Sequence, residues 1–131
     1  MNAGQAMSAY RKVGVQSGVT DADPHQLISM LLEGALDRIA GARGAMERKE
    51  SARQGELIGG AISIVDTMRA SLDYEKGGEI AANLGSLYDY MERRLLEASS
   101  KTDLVPLEEV STLLKNIKSG WDGIGSQSQG S

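Results

Sequence analysis

Asp23-Pro24-His25-Gln26-Leu27-Ile28-Ser29-Met30-Leu31-Leu32 is the stretch that decides the fold. Asp23 suits an N-cap, because its carboxylate can accept from the open N–H groups of a first helical turn. Pro24 suits the first helical position, where an N–H would have no intrahelical partner. Gln26 completes a capping-box pattern. Apolar residues then recur at Leu27, Met30, Leu31, Ala35, Ile39, Ala42 and Met46, mostly three or four apart, the period of a helix with one buried face. Ile28, Leu32 and Leu36 widen that stripe, as a helix touching two neighbours requires. A helix ending near Arg48 follows.

The same period continues outward. Ser51 with Gln54 gives a second capping pattern, opening a helix along Leu57, Ala61, Ile64, Val65, Met68 and Leu72 to about Tyr74. Gly77-Gly78 breaks the chain. A third helix carries Ile80, Leu84, Leu87, Met91, Leu95 and Ala98. Ser99 to Pro106 reads as a polar turn, and Pro106 can open a last helix with Leu107, Val110, Leu114, Ile117 and Trp121. Each of the first three helices should run about 22–24 residues, roughly 35 Å. Short connections make neighbours antiparallel. No stretch alternates as a strand would. The expected fold is all-α: an antiparallel four-helix bundle over residues 23–122, a flexible N-terminal arm over 1–22, and a disordered Gly/Ser/Gln tail over 123–131.

Composition narrows the function. A chain of 131 residues fits one domain, and 40% hydrophobic with 24% charged residues is ordinary for a globular protein. There is no cysteine, so disulfides, thiolate nucleophiles and zinc–cysteine sites are excluded. Eighteen acidic residues against 14 basic ones give a net charge of −4, with no Lys/Arg stripe to neutralise phosphates, so no nucleic-acid partner is expected. No apolar run is long enough for membrane insertion, and Met1 to Lys12 lacks the apolar core of a secretory signal. The expected location is the cytoplasm.

No catalytic set emerges. His25 is the only histidine and is expected to be solvated at a helix start. The Glu-x-x-His pairs of a di-iron bundle are absent, and Gly77-Gly78 has neither the strand nor the lysine of a phosphate loop. No metal, no cofactor and no enzymatic activity are expected. Gly34, Gly41, Gly44, Gly59, Gly60 and Gly85 fall inside predicted helices, and each costs up to about 1 kcal/mol against Ala. Small residues can also open a groove for another chain, and Gly59, Gly60 and Gly85 point to the second and third helices for one. With no Phe, the aromatics are Tyr10, Tyr74, Tyr88, Tyr90 and Trp121. Tyr88 should sit at the core edge and Trp121 should plug the core, with Tyr90 or Tyr74 exposed. Tyr10, alone in a polar arm, could dock on the bundle as a displaceable lid.

Several segments, in order, resemble the FliS family of flagellin export chaperones. They are Tyr10 to Val15, Asp23 to Leu31, Glu33-Gly34-Ala35, Ala61-Ile62-Ser63-Ile64-Val65, Leu72 to Ala81, Leu84-Gly85-Ser86-Leu87-Tyr88-Asp89-Tyr90-Met91, and Leu114 to Trp121. The resemblance implies a helical bundle that binds the disordered C-terminal segment of flagellin, prevents premature polymerisation and assists delivery to the flagellar type III export apparatus. Client contacts are then expected from Tyr10, Ile64, Met68, Leu72, Ile80, Leu84, Leu87, Met91, Leu114 and Ile117, near the grooves between consecutive helices. An export-gate component or a co-chaperone is a further candidate partner, and the free protein is expected as a monomer or weak homodimer. The alternative is a helical adaptor for another amphipathic helix in a secretion system.

Overall fold

The computed structural model describes residues 23–130, with side chains through residue 124. It contains four helices: α1 (Pro24–Glu47), α2 (Ser51–Ala70), α3 (Tyr74–Lys101) and α4 (Leu104–Gly130). Among the described residues there is no strand. The arm over 1–22, with Tyr10, lies outside them.

The start of α1 follows the expected chemistry. Gln26 N–H donates to Asp23 Oδ1 at 2.7 Å, and Asp23 N–H donates back to Gln26 Oε1 at 3.1 Å, a closed capping box. The second capping pattern is different. Glu50, not Ser51, is the N-cap of α2, and no side chain caps it. The tight turn after α1 brings the chain into α2 one residue early, so Ser51 already lies in the first turn. Gln54 instead turns inward, is buried, and donates from Nε2 to Ser99 O at 3.3 Å.

Three short links join the helices. After α1, Lys49 adopts φ 59°, and Glu50 N–H reaches Ala45 O at 2.8 Å. After α3, Thr102 adopts φ 51°, and Asp103 N–H reaches Ala98 O at 3.0 Å. Both are Schellman-type endings with a side chain where glycine is the usual choice. The α3–α4 link is therefore far shorter than the turn expected over 99–106, because Asp103 caps α4 through Val105 N–H at 3.0 Å and Pro106 falls within the first turn. Between α2 and α3, the break falls at Gly78, with φ 51° and ψ −125°. The residues before it, Tyr74 to Gly77, form a separate helical turn rather than the end of α2.

Links this short make successive helices antiparallel. Cross-bundle bonds agree: the start of α1 meets the end of α4 through His25 and Trp121, and the start of α2 meets the end of α3 through Gln54 and Ser99. Each helix packs against two others in a ring, α1–α2–α3–α4–α1. Leu32, Ile58, Val65, Met91, Leu95, Leu107, Val110 and Leu114 fill the centre, fully buried. Each large side chain there contributes about 1.5–3 kcal/mol of burial. The last helix also extends past the expected tail boundary at residue 123. Its backbone is helical to Gly130.

Candidate functional site

The four flanks of the bundle are finished very differently. Between α1 and α2, small residues let the helices seal. A Cβ at Gly41 would stand 3.1 Å from Leu57 Cδ1, and one at Gly34 would stand 3.4 Å from Ile64 Cδ1. Arg38 lies across Gly60, where a Cβ would come within 2.9 Å of its Cδ. Gly60 thus opens toward α1 rather than toward α3, contrary to the groove expected from sequence.

Between α1 and α4, one end is latched. The rings of His25 and Trp121 stack at 4.6 Å with a 4° tilt. Trp121 Nε1–H donates to His25 O at 2.9 Å, and His25 Nε2 lies 2.6 Å from Trp121 O. Since a carbonyl only accepts, Nε2 is the protonated ring nitrogen in this contact. Asp122 reinforces the latch by accepting from Ser29 Oγ at 3.1 Å and Lys118 Nζ at 2.6 Å. Lys118 holds the Asp122 carboxyl below its ordinary range. His25 is therefore not a solvated residue: the helix start that carries it is folded onto the last turns of α4. At the opposite end of this flank, Ile39, Arg43, Leu107, Glu108 and Lys115 border a shallow polar groove of about 430 Å³.

Between α2 and α3, Arg69 is the hub. It reaches Asp66 at 2.6 Å, Glu92 at 3.3 Å and Asp89 at 3.5 Å. Glu92 Oε2 is buried and, among the described residues, accepts no hydrogen bond, since Arg69 is near but poorly aligned. Burial raises the Glu92 pKa, with Arg69 opposing and Asp66 and Asp89 adding to the rise. Leu72 and Tyr74 close the lower end of this flank against Gly85.

The α3–α4 flank is finished in two halves. Its upper half is a polar clasp: Tyr90 Oη and Arg94 Nε donate to Glu109 Oε1 at 2.8 and 2.7 Å, and Arg94 also donates to Glu97 at 2.6 Å. The hydrogen bond from Arg94, then that from Tyr90, holds Glu109 below the usual carboxylate range. Below the clasp, Asn83 and Asn116 continue the polar line seven residues from Tyr90 and Glu109, and apolar residues run beside them. Ile80, Leu84 and Leu87 recur four and three apart along α3, with Leu113 and Ile117 half-buried on α4. Ile124 lies two turns beyond Ile117 on the same side of the helix. Ile80 is 73% exposed and Ile124 55%. Half-buried leucine and isoleucine on the two helices, with an exposed isoleucine on each, are the candidate apolar trough.

Of the residues expected to contact a client, Ile80 is exposed on α3, and Leu84, Leu87 and Ile117 are half-buried against the core. Ile64 and Leu72 lie on the α1–α2 and α2–α3 flanks. Met68, Met91 and Leu114 are 2%, 0% and 0% exposed and hold the helices together, with no surface to offer a partner. Tyr10 lies outside the described residues. Sequence reasoning missed Leu113 and Ile124. Leu113 was hidden beside the stronger heptad position Leu114. Ile124 falls in the Gly/Ser/Gln segment expected to be disordered, although its spacing of seven from Ile117 is a readable signal. Leu96 and Val105 are also exposed, by 58% and 67%. Among the described residues no group of three or more His, Cys, Asp or Glu could hold a metal ion, and no helix is long and apolar enough to cross a membrane.

Residues 6–128 match the family model described as flagellar protein FliS. The chain is 52% identical over 124 residues to the flagellar secretion chaperone FliSB of Pseudomonas aeruginosa, covering 95% of this chain and 98% of that one. It is 46% identical over 125 residues to the flagellar secretion chaperone FliS of Salmonella typhimurium, covering 95% and 93%. It is 38% identical over 119 residues to that of Vibrio cholerae, covering 91% and 88%.

Proposed function

The chain belongs to the FliS family of flagellar proteins, and from that premise we propose that it is a cytoplasmic secretion chaperone for flagellin. In this reading it binds the disordered C-terminal segment of flagellin, keeps that segment from pairing with other subunits, and helps deliver it to the flagellar type III export apparatus. The names of its relatives describe chaperones, a role without catalysis. The observation that carries the reading is the apolar trough between α3 and α4. A disordered client can form a short amphipathic helix and lay its apolar face on Ile80, Leu84, Leu87, Leu113, Ile117 and Ile124, the helix-in-groove mode of recognition.

The energetics suit a chaperone. Coupled folding buries on the order of 1,000–3,000 Å² and costs about 2–5 kcal/mol for ordering the client. A complex of that kind is specific because the groove selects the apolar spacing. It is releasable because much of the gross interaction is offset by ordering.

Isothermal titration with a peptide covering the flagellin C-terminal segment tests this. The unaltered protein should bind one peptide with a negative heat-capacity change. Ile80→Lys places a charge on a side chain that is mostly in water, so the fold should survive while binding weakens at least about tenfold. Leu87→Lys should abolish binding, with circular dichroism reporting whether the bundle persists. No heat with the unaltered protein at several temperatures would leave an adaptor for some other helix.

A further inference from the structure

The start of α3 is built as a separate piece. Tyr74 to Gly77 form one helical turn, capped on its own by Asp73, which accepts from Lys76 N–H at 3.0 Å through its side chain and from Gly77 N–H at 2.8 Å through its carbonyl. Gly78 then takes φ 51°, ψ −125°, a conformation that only glycine adopts without strain, and the continuous helix begins after it. Gly77 is pressed so close to Ala81 that a Cβ there would stand 2.8 Å from the alanine methyl. What holds this turn in place lies one residue type away from being impossible. Gly85 is buried, yet a Cβ on it would meet Tyr74 Oη at 2.5 Å, Tyr74 Cζ at 3.4 Å and Leu72 Cδ1 at 3.5 Å. The tyrosine end therefore occupies a notch that exists because residue 85 has no side chain. Tyr74 is nonetheless 53% exposed, so only part of the ring is anchored.

A capped unit, a glycine hinge and a half-anchored plug make a flap. We infer that residues 73–77 open about Gly78 as a unit, with Tyr74 leaving the Gly85 notch, and that the notch then receives an apolar side chain of the bound client. The second half of this inference rests on the chaperone reading above; the first half does not. Tyr74 stands in for the client in the free protein, and keeps Gly85, Leu72 and Ala81 from forming a bare apolar surface. Its location supports that role. Gly85 shares a side of α3 with Asp89 and Glu92, which meet Arg69 of α2, so the flap lies beside the start of α3 that carries Ile80. A competing internal plug lowers apparent affinity by the fraction of time the notch is filled.

Hydrogen exchange on the full chain tests the flap without any client. In Tyr74→Ala and in Gly85→Ala, amides of residues 74–79 should exchange about tenfold faster, while those of Met91 and Leu95 keep their protection. Unchanged exchange at 74–79, or loss of protection through Met91 and Leu95 as well, would overturn the hinge, since the turn would then be either unheld by the notch or part of the core. Titration with the flagellin C-terminal peptide tests the displacement. Tyr74→Ala should bind about three- to tenfold more tightly because the competitor is gone, and Gly85→Val should bind more weakly because the notch is filled. Equal affinity of all three proteins would overturn the displacement while leaving the chaperone reading intact. Absence of binding even by the unaltered chain would instead sink the chaperone reading and the displacement with it, leaving the hinge to the exchange result.

Discussion

Removing the His25 ring should loosen one end of the bundle by an amount that can be worked out. His25→Ala deletes the stack on Trp121 and the contact from Nε2 to Trp121 O, but leaves the His25 carbonyl that accepts from Trp121 Nε1. An aromatic pair contributes about 0.5–1.5 kcal/mol beyond its burial, and a hydrogen bond about 0.5–1.5 kcal/mol net. The expected loss is therefore about 1–3 kcal/mol. For a domain of this size each kcal/mol moves Tm by about 4 °C, so the midpoint should fall by roughly 4–12 °C. Thermal unfolding by far-UV circular dichroism measures the total. Trp121 is the only tryptophan, so its fluorescence reports the latch alone, and its emission should shift to the red at temperatures where the bundle is still folded. Trp121→Phe keeps an aromatic face but orphans the His25 carbonyl, and the double variant should show a coupling of at least about 0.5 kcal/mol. A Tm and an emission maximum both unchanged in His25→Ala would refute the reasoning. A lower Tm with unchanged emission would do so too, because the damage would then lie away from the latch.

Two glutamates should show opposite pH behaviour. Glu92 is raised by burial, so its contribution to stability is full at acid pH and is lost as pH rises through its folded value; Glu92→Gln should therefore hold or gain stability at neutral pH relative to the parent, and lose that advantage on acidification. Glu109 is lowered, first by Arg94, so its contribution is present above the ordinary glutamate range and disappears as pH falls below it; Glu109→Gln should be destabilising at neutral pH and neutral in strong acid, read by urea unfolding across pH. Thr102→Gly should raise stability by about 0.5–1 kcal/mol in the same assay, because a β-branched residue at φ 51° carries left-handed strain that glycine relieves at some cost in chain entropy. Met91→Ala should cost about 2–5 kcal/mol through the cavity it leaves, whereas Ile80→Lys should hardly move the unfolding midpoint, which separates core from trough.

Much of this protein could be read from local rules acting within a few residues. The capping box at Asp23, the apolar period of four helices, the break at Gly78 and the short links all depend on neighbours in the chain, and short links oblige antiparallel packing. Membership of a flagellar chaperone family was legible from ordered segments, since fold and binding surface constrain residues throughout the chain. Pairings between distant residues were not legible. His25 and Trp121 are far apart in sequence, and nothing in either neighbourhood announces the other, so the histidine read as solvated until α4 was folded across it. Ser51 and Gln54 matched a cap in spelling, but the backbone turn at Lys49 decided which residue stood at the cap, and the cross-helix carbonyl of Ser99 decided where Gln54 points. The trough is the sharpest case. Ile80 and Met91 share a helix and an apolar character, and periodicity assigns both to the buried side. Only the position of α4 buries one and leaves the other in water, because burial belongs to the space between helices and not to any one of them.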